Sequence, residues 1–569
     1  MSTWAPGSGE AVGAGEERAA VPDSRRAAWD ARVVTAWIAA VGVGVLALGL
    51  CLWRLMPGLG FWDTAEFQTA LPVMGTVHPT GYPTYVLIGW LASVLLQPIG
   101  EAALRMNVLS AILVAAGAAF ATDLARRLTG SVALGIAVGV GIALTPIVWA
   151  IGTHADPHAL HFALVAIILW LLVRWEHARR GSPMDATVEP LEEPRRADRL
   201  LLAAAIVTGL AVGNHSLTLL LGPGILLFVV AVEPGIVRRP KFILANIAAF
   251  AIPTVLVRFE MVLRAGWLRA PFVYADPSTW AGFWYVTLGA QFHGWVTDPF
   301  ADIPGRIEDL ARMAIGQFGP FAPVVVVAFV VTAIRLPRYA ILTGLTLVLT
   351  CFFNSVYPDG AIDRYYIGPA LIAWTWLAIL AATFVQALFG VPGDEEVDGD
   401  PQRPGMAVGR SVAMVIAACI LVVPSLLAFN VRSQLVDQSN DTIAQQWTDE
   451  VLGALPRNAV VVSWWSYSTP LWYATIVDGR RPDISIIDDR TRLDCNLGEL
   501  DHVIDLYLPT RPVYLIRNGD SELPALLGRF QLLPVNLPFA SNLIQVLPVA
   551  GGEAQPGSAG PPPACRAIL

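Results

Sequence analysis

Apolar runs of about the length that a helix needs to cross a bilayer recur along most of the chain. A transmembrane helix takes about 20 apolar residues, and about eleven runs meet or approach that length. Two of them, 158–173 and 200–213, are short. The predicted spans are 33–53, 103–124, 132–151, 158–173, 200–213, 217–232, 242–257, 313–334, 339–354, 367–388 and 411–429.

Arginine clusters fall on alternate loops between these runs, such as Arg126 and Arg127 after the second run and Arg335 and Arg338 after the eighth. Short cytoplasmic loops collect Lys and Arg. The pattern therefore predicts a cytoplasmic amino terminus and an extracytoplasmic carboxyl terminus. The apolar segment 84–96 is too short for a span and suits an interfacial or re-entrant helix. We therefore expect 56–101 to be one long outer loop.

The pattern changes from Asp437 onward, where short strand-like runs (459–463, 484–487 and 513–516) alternate with helical or turn segments. This predicts a small extracytoplasmic α/β domain over 430–550, following a transmembrane domain over 33–429. The polar segments 1–32 and 551–569 are predicted to be disordered tails, the first of them cytoplasmic. The predicted fold class is a membrane all-α bundle with an added α/β domain.

Composition agrees with a membrane protein: 55% of the residues are hydrophobic, 14% are charged, and the mean hydropathy is +0.57. The formal net charge of -8 excludes a broad basic surface for nucleic acid. Cys495 and Cys565 lie in the polar final part of the chain, and the sequence leaves open whether they form a disulfide.

Two carboxylates lie just beyond the first span. Asp63 and Glu66 are three residues apart and share one face of a helix, which suits proton abstraction from a hydroxyl or the binding of a divalent cation such as Mg²⁺ or Mn²⁺. The same spacing also resembles a capping box at the start of an ordinary helix. His78, in a rigid Pro- and Gly-containing turn, is a further candidate, although the turn could serve only to direct the chain.

Asp156 and His158 lie in a loop between the third and fourth predicted spans, with His154 and His161 nearby. The cluster suggests zinc, but Asp156-Pro157 is also an ordinary helix start, which we favour. Asn214 and His215 interrupt an apolar stretch on the same predicted side. They are candidates for substrate binding, or they form only a polar turn.

Further candidates lie in later outer loops: Gln291, and then Asp363, Arg364 and Tyr365 just before a span. The guanidinium of Arg364 matches a lipid phosphate, although Arg364 could instead pair with Asp363. All these candidates map to the predicted outer side, which indicates one outward-facing polar cavity.

Several short motifs occur together in one order. They are Asp63-Thr64-Ala65-Glu66-Phe67, His78-Pro79-Thr80-Gly81-Tyr82-Pro83, Arg105-Met106-Asn107-Val108-Leu109-Ser110-Ala111, Gly213-Asn214-His215, Asp363-Arg364-Tyr365-Tyr366, Pro470-Leu471-Trp472-Tyr473 and Gly479-Arg480-Arg481-Pro482-Asp483. Their order and spacing resemble the GT-C superfamily of membrane glycosyltransferases, and within it the bacterial relatives of transmembrane protein O-mannosyltransferases (glycosyltransferase family 117-like).

The resemblance implies a GT-C-type helical bundle that transfers a sugar from a polyprenyl-phosphate donor to a hydroxyl of a protein, glycan or lipid. It implies Asp63 as general base and a cation or arginine, with Arg364 preferred, at the leaving phosphate. The sequence departs from the family at Asp156-Pro157-His158, where a Glu, an apolar residue and Tyr are usual, and at Thr80, where a second proline is common.

Two other classes remain as alternatives. A transporter or lipid flippase would also use many spans and buried polar residues. A non-catalytic membrane scaffold would make the clustered acids accidental. The long first outer loop and the lack of a repeat between the two halves of the sequence favour the enzyme.

Overall fold

The computed structural model describes residues 23–185, 187–188, 190–191, 193–358, 360–391, 404–518 and 522–549. The predicted tail 551–569 and Cys565 lie outside these residues, so a disulfide between Cys495 and Cys565 stays an open question. Most of the predicted amino-terminal tail, 1–22, also lies outside them. The first helix begins at Asp23, ten residues before the predicted start of the first span.

The first part of the chain is helical. Its helices are α1 Asp23–Trp53, α2 Trp62–Val73, α3 Pro83–Leu95, α4 Ala102–Thr129, α5 Val132–Ala143, α6 Pro146–Ala150, α7 Pro157–Arg180, α8 Pro194–Asn214, α9 Gly222–Val232, α10 Pro240–Val262, α11 Trp280–Leu288, α12 Ile303–Phe318, α13 Ala322–Arg335, α14 Pro337–Val356, α15 Ile367–Phe389 and α16 Pro404–Leu427. Proline at the first helical position starts many of them, because its fixed φ suits that position and its missing N–H is not needed there.

Within the described part of the chain, nine helices are long and apolar enough to cross a membrane, so the protein is a multi-pass membrane protein. Three shorter apolar helices, Pro83–Leu95, Val132–Ala143 and Ser216–Val232, accompany them. Each of the eleven predicted spans corresponds to one of these twelve segments. The twelfth, α3, is the segment that the sequence assigned to the first outer loop.

The centre of the bundle is built by α4, α7 and α15, whose apolar side chains are largely buried. Helices α4 and α7 approach closely at Gly117. A Cβ at this position would lie 2.3 Å from the ring of Phe162, so only glycine permits the approach. This rigid centre carries, at one end, the loops that hold most of the candidate residues.

The carboxyl-terminal part is an α/β domain, as predicted. Its elements are α17 Phe429–Leu435, α18 Ile443–Ala454, β1 Val460–Ser463, α19 Trp465–Trp472, β2 Ser485–Asp488, α20 Asp489–Asp494, α21 Leu500–Tyr507, β3 Val513–Ile516, α22 Leu523–Leu526, β4 Phe530–Pro534 and β5 Leu543–Pro548. The sheet order is β2-β1-β3-β5-β4; β2, β1 and β3 are parallel, and β5 runs antiparallel to both of its neighbours. The predicted strand-like runs are β1, β2 and β3, which are buried on both faces.

Candidate active site

A cavity of about 1090 Å³ lies between the helical bundle and the carboxyl-terminal domain. The bundle contributes the start of α2, the turn before α3, the loop after α8, the loops on both sides of α11 and the turn before α15. The carboxyl-terminal domain contributes the start of α19 and the start of α20. The candidate residues that line it are Asp63, His78, His215, Gln291, Arg364 and Tyr365.

An ion-pair network joins three of the candidate residues at one end of this cavity. The guanidinium of Arg364 donates a hydrogen bond to Asp63 Oδ2 and a second, of 3.4 Å, to Asp156 Oδ2. Arg364 thus contacts two carboxylates rather than its neighbour Asp363, which the sequence had left as an alternative. Asp363 is exposed and does not line the cavity.

The network sets the charge of both acids. Burial would raise the pKa of Asp63, but the charges of Arg364 and His78 outweigh it and hold this pKa below its usual range. The pKa of Asp156 is held far below its usual range, since contacts with His158 and Arg364 outweigh burial. Both residues are therefore carboxylates at neutral pH.

Glu66 and His78 form a second pair next to Asp63. Glu66 is fully buried; its Oε1 accepts a hydrogen bond of 2.8 Å from the backbone N–H of His78, and its Oε2 contacts His78 Nδ1. Helix α2 begins at Trp62 with Phe61 at the N-cap position, and no side chain caps it. The capping-box interpretation of Asp63 and Glu66 is therefore wrong: Glu66 fixes the turn that carries His78.

Asp156 is the N-cap of α7, as one interpretation of the sequence predicted. Its Oδ1 accepts a hydrogen bond of 2.7 Å from the backbone N–H of His158 and contacts His158 Nδ1 at 2.8 Å. The ring of Tyr365 stacks on His158, with centroids 5.0 Å apart, and meets the ring of His215 at 5.3 Å. Asn214 is buried behind them, and its amide donates to Pro157 O at 3.1 Å.

Asn107 on α4 joins helix α2 and two loops that carry the site. Its Oδ1 accepts hydrogen bonds of 2.9 Å from Gln68 and from the backbone N–H of Ala155, and its amide donates to the carbonyls of Met56 and Gly58. One turn further, the hydroxyl of Ser110 accepts a 3.1 Å hydrogen bond from the backbone N–H of Asp156. The motif around Arg105 to Ala111 thus positions the acids without contacting the cavity.

Gln291 lines the cavity and accepts a hydrogen bond of 2.9 Å from the hydroxyl of Tyr274. Sequence reasoning did not single out Trp62, Tyr274, Trp465 or Arg490, which also line it. Trp465 and Arg490 belong to the carboxyl-terminal domain, and no local pattern could show that this domain folds over the loop of Asp63.

Arg258 was also missed, although a signal for it existed. It follows an apolar run, is buried, and donates hydrogen bonds to the carbonyls of Thr80 and Val212. A charged residue within or next to a membrane span is expensive unless it is used. Arg258 therefore holds the turn of His78 against α8.

A divalent cation was one expectation for this site. The ligand atoms of Asp63, Glu66 and His78 lie within 4.8 Å of one another. These residues do not fit Mg²⁺ or Mn²⁺ as they stand, because both oxygens of Glu66 are engaged by His78 and the guanidinium of Arg364 would repel a cation at Asp63.

Known proteins resemble this chain in sequence and in structure. The family described as the Protein O-mannosyl-transferase TMEM260 N-terminal domain matches residues 63–234. The Protein O-mannosyl-transferase TMEM260 of Mus musculus is 23% identical over 473 residues, which are 77% of this chain and 60% of that protein. The chain thus spans about three fifths of that relative's length.

Two solved structures share the fold. ArnT from Cupriavidus metallidurans bound to undecaprenyl phosphate superimposes with a TM-score of 0.58 at 14% identity, covering 90% of this chain and 98% of ArnT. Its apo state gives a TM-score of 0.56 at 13% identity with the same coverage. The chain therefore has the GT-C fold of membrane glycosyltransferases, and the resemblance inferred from its sequence is confirmed.

Proposed function

We propose that this protein is a membrane glycosyltransferase that moves a sugar, with mannose as the first candidate, from a polyprenyl-phosphate donor to a hydroxyl acceptor. The acceptor is a hydroxyl of a protein, glycan or lipid. The O-mannosyl-transferase relative suggests mannose and a protein acceptor. ArnT bound to undecaprenyl phosphate suggests the lipid carrier.

One observation supports this proposal most strongly: the contact of Asp63 with Arg364 in a cavity that is large enough for a sugar and its phosphate. The reaction needs a base for the acceptor hydroxyl and a cation for the leaving phosphate. The bundle brings Asp63 and Arg364 into contact. A non-catalytic scaffold whose acids cluster by accident would not need this contact.

In the proposed reaction, Asp63 accepts the proton of the acceptor hydroxyl while the hydroxyl oxygen attacks the anomeric carbon of the donor. The bond between this carbon and the phosphate oxygen breaks, and polyprenyl phosphate leaves with the bonding electron pair. Attack opposite to the leaving group inverts the anomeric configuration. Arg364 stabilises the charge that develops on the phosphate through its two-pronged guanidinium.

The pairing of Arg364 with Asp63 suggests how the donor would activate the base. Arg364 holds the pKa of Asp63 low, which makes Asp63 a weak base before the donor binds. A donor phosphate would compete for the guanidinium, and the carboxylate would then regain basicity. Asp156 would keep Arg364 in place during this exchange, because it contacts the other terminal nitrogen.

Glu66 has a supporting role in this proposal. It was predicted as a catalytic residue, but it is buried and does not line the cavity. We assign it to positioning His78, whose ring lines the cavity next to Asp63. Asp156 likewise acts through Arg364 and His158 rather than on substrate.

We place the cavity on the extracytoplasmic side. The arginine-rich loops of the sequence, which predict the cytoplasmic side, include the one between α7 and α8. The cavity lies at the opposite end of α7, next to Asp156. The cell membrane is therefore the proposed location, with the carboxyl-terminal domain outside.

The decisive experiment supplies purified protein with polyprenyl-phosphate [¹⁴C]mannose and a mixture of serine- and threonine-containing peptides. We expect label on peptide, or slow release of mannose to water when no acceptor is present. A transporter or flippase would instead move the lipid across sealed proteoliposomes without breaking the bond between sugar and phosphate. Movement of intact lipid with no cleavage would contradict the proposal.

A further inference from the structure

Three buried polar atoms next to the cavity have no hydrogen-bond partner among the residues that the structure describes: His158 Nε2, His215 Nε2 and Asn214 Oδ1. Such atoms are uncommon in folded proteins, because losing water without gaining a partner costs stability. The three belong to residues packed together, since the rings of His158 and His215 lie 4.8 Å apart and Asn214 donates to Pro157 O. This cluster is therefore a place where a ligand would supply the missing partners.

The hydrogen bonds of His215 determine where its proton lies. Its Nδ1 accepts a hydrogen bond of 3.1 Å from the backbone N–H of Leu217, so this nitrogen carries no proton. The remaining nitrogen, Nε2, is then the protonated one. His215 thus offers a donor from a ring that lines the cavity.

His158 has the opposite arrangement. Its Nδ1 contacts the carboxylate of Asp156 at 2.8 Å, and a carboxylate can only accept, so Nδ1 carries the proton. In the neutral ring Nε2 is then an acceptor. The two rings, whose centroids lie 4.8 Å apart, therefore hold one unused donor and one unused acceptor in buried positions next to the cavity, with Tyr365 against both.

We propose that His215 Nε2–H and His158 Nε2 recognise one hydroxyl of the transferred sugar, with His215 donating a hydrogen bond to the hydroxyl oxygen and His158 accepting a hydrogen bond from the same hydroxyl. A hydroxyl is the sugar group that both donates and accepts. A phosphate oxygen would satisfy His215 alone. The pair is thus a specificity determinant for the sugar, whereas Arg364 binds the phosphate; this inference rests on the proposed function.

The chain allows a sharp test with two substitutions at one position. His215→Asn keeps an acceptor for the Leu217 N–H but removes the group at the Nε2 position. His215→Gln places an amide N–H near the Nε2 position. His502→Asn, in the exposed part of the carboxyl-terminal domain, is the matched control. Melting temperatures of the full-length variants in detergent establish that each is folded.

The affinities of each variant for polyprenyl phosphate and for polyprenyl-phosphate mannose are then measured. We expect His215→Asn to weaken binding of the mannosyl lipid about 5- to 10-fold, as for one hydrogen bond, and to leave binding of polyprenyl phosphate unchanged. His215→Gln restores part of the loss. A set of mannosyl lipids that each lack one sugar hydroxyl identifies the group that is recognised. We expect one of them to bind wild type more weakly than the complete mannosyl lipid does, and to bind His215→Asn with the same affinity as the complete lipid.

Other outcomes separate the two proposals. Wild type that binds neither lipid contradicts the proposed function itself. Wild type that binds and cleaves the mannosyl lipid, together with a His215→Asn variant that is unaltered or that loses both lipids equally, overturns the hydroxyl subsite while the glycosyltransferase proposal stands.

Discussion

Asp63 and Arg364 are 301 residues apart in the chain, yet the guanidinium of Arg364 donates a hydrogen bond to Asp63 Oδ2 inside the cavity. The same guanidinium contacts Asp156, so Arg364 joins the start of α2 to the loop before α7. Asp63, Asp156 and Arg364, which the sequence predicted separately, thus form one ion-pair network.

Asp63→Asn removes the proposed base while it keeps the size of the side chain. We expect transfer to fall about 100- to 10,000-fold, because an amide cannot accept the proton. The melting temperature should change little, since Arg364 keeps Asp156 as a partner. Transfer of labelled mannose from the lipid donor checks this.

Asp363→Asn is the matched control for that experiment. Asp363 lies next to Arg364 in sequence but is exposed and outside the cavity. We expect the transfer rate to stay within about twofold of wild type, because substitutions of exposed residues away from a functional site usually have small effects. A loss as large as that of Asp63→Asn would return Asp363 to the substrate-binding set that the sequence predicted.

Arg364→Lys keeps a positive charge but loses the planar fork that matches a phosphate. We expect the affinity for polyprenyl phosphate to fall about 10- to 100-fold. Arg490 lies on another wall of the same cavity and donates a hydrogen bond to the hydroxyl of Tyr285. Arg490→Lys should therefore leave the affinity for polyprenyl phosphate nearly unaltered. Equal losses in both variants would show a general response to positive charge rather than a specific phosphate site.

Asn107→Ala removes the side chain that joins the loop after α1, helix α2 and the loop before α7. Four hydrogen bonds are lost, and the backbone groups that Asn107 had bonded stay buried without this partner. We therefore expect the unfolding free energy to fall by about 2 kcal/mol or more. Transfer should also fall, because both acids are displaced. Asn246→Ala is the control, since Asn246 donates one hydrogen bond to Phe242 O in its own helix. A similar loss in the control would contradict this explanation.

The Glu66–His78 pair predicts a pH dependence of stability. Burial alone would lower the pKa of His78, but contact with Glu66 outweighs it and raises this pKa above its usual range. A group whose pKa is raised in the folded protein contributes its full stabilisation below the unfolded pKa, which is about 6.5 for histidine. This contribution is lost as the pH rises through the folded pKa.

Melting temperatures of wild type and His78→Gln, measured between about pH 5.5 and 9 in detergent, check this sign. The difference between the two proteins should be largest at the acidic end and shrink as pH rises. A difference that grows with pH would contradict the proposed pairing, and His502→Gln should show no such trend.

Local sequence determined much of this fold. Apolar runs of sufficient length, with proline at helix starts, are properties of neighbouring residues, so the positions of the long apolar helices and of the strands β1 to β3 along the chain were predicted, while several helix ends were not. The same holds for Asp156, whose capping of α7 depends only on the residues that follow it. Strands β4 and β5 were missed, because only Phe530, Leu543 and Val546 are buried in them and a glutamine interrupts each apolar run.

Only tertiary structure decided what the polar residues contact. The sequence placed Asp63 and Glu66 on one helical face, but the fold directs Asp63 to Arg364 and buries Glu66 against His78. Periodicity is a property of neighbouring residues, whereas these contacts depend on how the bundle and the carboxyl-terminal domain pack. For this reason the sequence named the acids and the arginine, while the hydrogen-bond partners of His158, His215 and Asn107 became visible only in the folded protein.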